Sequence, residues 1–88
     1  MKWVITIDLE TPVGERDTVG VGNCGRSREE RLAVAPTLPL MFRLLDDDGN
    51  VYYGGQADTD GFSPLDWATC YAGCTSIQFK RGERWETL

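Results

Sequence analysis

The chain reads as an α+β domain: a small antiparallel sheet of four to five strands, two hairpins plus an N-terminal strand, with one or two short helices. Three observations carry that reading. Residues 3–9 alternate, an Asp-Gly turn separates two apolar runs between residues 40 and 53, and Ser63-Pro64 opens a short stretch ended by Gly73. Alternation with period two marks a half-buried strand, Asp-Gly between apolar runs marks a hairpin, and Ser-Pro marks a helix start. Eighty-eight residues suit one domain, 1–88.

In the first strand Trp3, Ile5, Ile7 and Leu9 are expected on one face, with Val4, Thr6 and Asp8 on the other, until Pro12 ends it. Residues 11–36 form a glycine-rich, loop-rich stretch, expected to be more mobile than the rest, that carries Arg16, Arg26, Arg28 and Arg31. Within it Val19 and Val21 suit a short edge strand. Ser27, with Glu30 three residues on, suits the cap of a helix that Pro36 and Pro39 keep short.

Next come Leu40, Phe42 and Leu44 in alternation with Met41, Arg43 and Leu45, then Asp46-Asp47-Asp48-Gly49-Asn50, then Val51-Tyr52-Tyr53. A two-residue turn at Asp48-Gly49 pairs Asp46 with Val51, Leu45 with Tyr52 and Leu44 with Tyr53. Ser63 is the expected N-cap of a helix from Pro64 to Tyr71, with Asp66 in its first turn. A three-residue loop, Arg81-Gly82-Glu83, places Ile77, Phe79, Trp85 and Thr87 on one face of the last hairpin.

Composition narrows the chemistry. With no histidine, neither a Ser-His-Asp or Cys-His nucleophile pair nor a Cys2His2 zinc site can form. Fourteen acidic residues against nine basic ones leave a net charge of -5, a poor match for a nucleic-acid backbone. No apolar run approaches the roughly 18 residues of a membrane span, and Asp8 breaks the only N-terminal one. The expected location is the cytoplasm, where Cys24, Cys70 and Cys74 stay reduced.

Four patterns suggest chemistry and fall short of it. Gly20-Val-Gly22-Asn-Cys-Gly25 spells a dinucleotide fingerprint, yet its preceding strand and following helix are too short for that fold. Cys70 and Cys74 with Cys24 offer soft ligands, but their spacing is neither that of zinc sites nor that of redox pairs. Placing Asp58 and Asp60 at positions 3 and 5 of a calcium loop puts Trp67 where the bidentate glutamate belongs. The carboxylates Asp8, Glu10, Asp66 and Glu86 show no pairing suited to acid–base work. No enzyme activity and no cofactor are therefore expected.

The surface carries the stronger signal. Asp46, Asp47, Asp48, Asp58 and Asp60 cluster in sequence with the aromatics Tyr52 and Trp67, a combination suited to a basic protein groove, including one that ordinarily takes nucleic acid. The alternatives are a thiol or metal protein built on Cys24, Cys70 and Cys74, and a self-associating subunit with no separate activity.

Phe42 to Tyr53, Phe62-Ser-Pro-Leu-Asp66, Gly73-Cys-Thr-Ser-Ile77 and Trp85-Glu-Thr-Leu88 resemble short uncharacterised bacterial proteins associated with actinobacteria and mobile elements. The resemblance covers about residues 40–88 and implies a cytoplasmic bacterial or phage context. By analogy of size and charge, that context implies an inhibitor of host defence of the anti-CRISPR or anti-restriction kind.

Overall fold

A computed structural model describes residues 1–9 and 28–88. Five strands, β1 (Trp3–Asp8), β2 (Leu40–Leu45), β3 (Val51–Ala57), β4 (Ser76–Arg81) and β5 (Arg84–Thr87), form one sheet in the order β1-β3-β2-β4-β5. Every neighbouring pair is antiparallel. Among the described residues, helix α1 (Arg28–Val34), a 3-10 turn (Ala35–Thr37) and helix α2 (Ser63–Ala72) accompany the sheet in an α+β fold. The expected edge strand at Val19 and Val21 and the expected cap at Ser27 lie outside the described residues.

The two faces of the sheet are covered unequally. Ile5, Phe42, Leu44, Tyr53, Ile77 and Phe79 form the main core together with Ala68 of α2 and Cys74 just beyond it. On the other face, among the described residues, α1 and the 3-10 turn cover the β1 end, where Val4, Ala35 and Leu38 make a smaller cluster. Aromatic rings link the layers. Trp67 of α2 meets Tyr53 edge-on at 5.1 Å, Trp3 stands 6.0 Å from Trp67, and Phe42 lies between Trp3 and Phe79 at 6.3 and 5.9 Å.

Four local expectations are corrected. In β1 the register shifts between Ile5, opposite Gly55, and Ile7, opposite Gly54. One extra residue in a strand turns every later side chain to the other face. Ile7 and Leu9 therefore leave the core face of Trp3 and Ile5, and are 53% and 49% exposed. At this irregularity the Ile5 carbonyl accepts a hydrogen bond from buried Arg31 Nη1 at 3.1 Å, which ties α1 to the strand.

In the first hairpin the loop is Asp47-Asp48-Gly49, one residue longer than expected. The Asp46 N–H donates to Asn50 O at 3.0 Å, and Gly49 takes φ 82°. A glycine in the left-handed region is what a three-residue hairpin loop requires. Leu45 accordingly faces Val51, and the register shift at Tyr52 restores the expected pairing of Leu44 with Tyr53.

The last hairpin is shorter than expected. Arg81 pairs with Arg84 and Lys80 with Trp85, so only Gly82-Glu83 is left to turn, with Gly82 at φ 65°. Trp85 is thereby carried to the face opposite Phe79. Helix α2, finally, begins one residue early. The Asp66 N–H donates to Phe62 O at 2.9 Å, so Phe62 rather than Ser63 is the N-cap, and it caps without a side-chain bond. Gly73, at φ 75°, ends the helix as expected, and the Cys74 N–H reaches back to Ala68 O.

Candidate functional site

The hairpin tip is built around one carboxylate. Asp46 Oδ1 accepts the N–H groups of Asp48 at 2.9 Å and Asn50 at 2.8 Å, and Oδ2 accepts the Asn50 side-chain amide at 3.1 Å. Asp46 is thus a component of the turn, while Asp47 and Asp48 stand exposed on it. The Asn50 side-chain bond, then the Asn50 backbone bond, hold the Asp46 carboxyl below its ordinary value of 3.8.

A pKa lowered by folding contributes stability that is present above the ordinary value and lost as pH falls through the folded one. Replacing Asp46 with Ala is therefore expected to lower the urea midpoint at pH 7 and to make much less difference at pH 3. A gap between the two proteins that stays the same at both pH values would show that the charge is not what holds the turn.

The sheet divides the predicted acidic cluster. Asp58 and Asp60 follow β3 at the end opposite the hairpin tip, about 23 Å away for seven residues at ~3.3 Å each. Both are engaged locally. Asp58 Oδ1 accepts the Lys2 N–H at 2.9 Å, which is the main reason its carboxyl is also held low. Asp60 pairs with Arg81 at 2.6 Å, and the same guanidinium reaches Glu86 at 3.3 Å. The aromatics are not free anchors either. Trp67 packs on Tyr53 and Trp3, and Tyr52 is partly buried against the main core. Of the seven predicted contact residues, Asp47 and Asp48 remain together and exposed without a fixed role in the fold.

The cysteines part company at the end of α2. Cys74 is sealed in the core and Cys70 is exposed on the helix. Cys24 and the Gly20–Gly25 motif lie outside the described residues. Among the described residues no group of three cysteines or carboxylates is placed to hold a metal ion, and no helix is long and apolar enough to cross a membrane.

The sheet face away from α2 carries a feature that sequence reasoning missed. A groove of about 350 Å³ runs over β3, bounded by Ile7 and Leu9 on one side, Met41 and Val51 along it, and Arg43 and Trp85 on the other. Its hollow arises where Gly54 offers no side chain between Ile7 on β1 and Arg43 on β2. Arg43 is held in place at the lip. Its Nε donates to Gln78 Oε1 at 2.7 Å, and its guanidinium carbon lies 4.3 Å from the centre of the Trp85 ring. The legible signal was Gly54-Gly55 inside a strand, since glycine there often marks a close approach. The strand irregularity that exposes Ile7 and the short loop that turns Trp85 left no such mark.

No protein-family model, no curated protein and no solved structure matches this chain.

Proposed function

We propose that this domain is a non-catalytic protein-interaction module that places the acidic hairpin tip, Asp47 and Asp48, against a basic surface of another protein, in the manner of a mobile-element or phage-type inhibitor. The observation that supports this reading is the preformed turn. Asp46 closes it with three hydrogen bonds, so its two neighbours project from a loop that is already ordered. Binding then requires little further ordering of the chain. The net charge of -5 favours encounter with a basic partner over an acidic one.

The test is a pull-down from bacterial lysate with the tagged domain and with an Asp47→Asn/Asp48→Asn double variant, washed at low and high salt. A basic protein captured in stoichiometric amount by the parent, released by salt and lost with the folded double variant, is the expected result. Equal capture by both baits, or capture that salt leaves unchanged, would overturn the assignment.

A further inference from the structure

We propose that the groove on the open sheet face is a second, separate docking site, one that takes an acidic amphipathic helix from a partner protein. An apolar side chain of that helix would sit over Gly54 and a carboxylate would reach Arg43. This goes beyond the hairpin-tip reading and uses none of its residues.

The hollow is not imposed by packing. The three atoms nearest to a Cβ on Gly54 would all belong to the Ile7 side chain, at 3.4 to 3.7 Å, ordinary van der Waals distances. At the adjacent Gly55 a Cβ would overlap the Val4 carbonyl oxygen and come within 2.6 Å of Phe42 Cζ. The fold therefore demands glycine at 55 and accepts a side chain at 54, yet the described residues leave a hollow over 54 beside the exposed Ile7 and Met41.

Charge indicates what would fill it. Arg43 is half-buried and oriented by Gln78 and Trp85, and among the described residues no carboxylate pairs with it. Exposed Lys80 adds a second cation 6.0 Å from the same Trp85 ring. In a chain with fourteen acidic residues, an oriented guanidinium that no described carboxylate pairs, beside apolar walls, is complementary to a ligand carrying both an apolar group and a carboxylate.

Geometry selects a helix. β2 and β3 are interior strands hydrogen-bonded on both sides, so the face above them offers no main-chain edge for an added strand. An apolar sheet face is ordinarily covered by a helix, as α2 covers the opposite one. At about 350 Å³ the groove is at the small end of the range for ligand pockets, about 300–1,000 Å³, which suits one or two side chains presented by a larger partner.

The test titrates the 15N-labelled domain with three helical peptides that share one leucine stripe and carry Glu, Gln or Lys beside it. Saturable shifts are expected at Ile7, Met41, Gly54 and the Trp85 indole with the Glu peptide, in spite of the like net charge of the domain. Arg43→Gln should weaken that peptide about tenfold, the worth of one charge-assisted contact, and leave the Gln peptide little changed. Gly54→Val should block all three; if it fails to fold, the Arg43→Gln comparison still decides.

Equal or tighter binding of the Lys peptide, or no saturable shift at these residues, would overturn the proposal. So would contacts in the free protein from the Ile7 and Met41 methyl groups to residues 10–27, or shifts that depend on protein concentration. Those results would assign the groove to the chain itself or to a second copy. The Asp47→Asn/Asp48→Asn variant should bind the Glu peptide like the parent, which keeps the fate of this site separate from that of the hairpin tip.

Discussion

Replacing Phe42 with Ala is expected to lower stability by about 3–5 kcal/mol, the usual range for removing a large aromatic side chain from a core. Phe42 is 1% exposed at the centre of the main core. Its ring meets Trp3 of β1 at 6.3 Å and Phe79 of β4 at 5.9 Å, so the substitution leaves a void between strands on both sides of β2. It also unlinks Phe79 from the aromatic chain of Trp3, Trp67 and Tyr53 that reaches α2. Domains of this size have about 5–15 kcal/mol in total, so the variant should unfold at a much lower urea concentration and lie close to the threshold of folding at 37 °C. A change below about 1 kcal/mol would mean that neighbouring side chains collapse into the space, and that Phe42 is not the centre of the packing.

The second large effect is expected at Gly55, from the addition of a single methyl group. Gly55→Ala should cost about 3 kcal/mol or more, at the upper end of what overpacking produces. The clash is with the Val4 carbonyl, a backbone atom of the paired strand, and with Phe42, which is itself confined by Trp3 and Phe79. Neither neighbour can move without separating β1 from β3 or disturbing the core. Gly54→Ala is the matched control. Its methyl group meets Ile7 at an ordinary distance, so the variant should be as stable as the parent or more so by ~0.5 kcal/mol, because the unfolded chain loses freedom. Paired urea titrations check both, and equal effects at the two positions would contradict the assigned register of β1 on β3.

These two glycines show where sequence reading ran out. Glycines inside a strand signal a close approach, but which one is required by the fold and which one opens a groove depends on the register of β1 and on the position of Phe42. The acidic residues give a parallel case. Asp46–Asp48 and Asp58–Asp60 are close in sequence, and seven residues of extended β3 then place them at opposite ends of the sheet. Extended chain separates what a helix or a compact loop would have kept together.

Local sequence rules were enough to set the described elements and most of their limits. Alternation in 3–9 and 40–45, the left-handed glycines at 49, 73 and 82, and Pro64 near the start of α2 are all local rules, and they act within a few residues of the chain. The tertiary structure decided which face each side chain joins. One extra residue in β1 sent Ile7 and Leu9 outward, and one residue fewer in the last loop moved Trp85 from the side of Phe79 to that of Arg43. Side chains alternate with period two, so a displacement by one residue leaves the local pattern intact and reverses its direction. Only the pairing of distant strands resolves that choice.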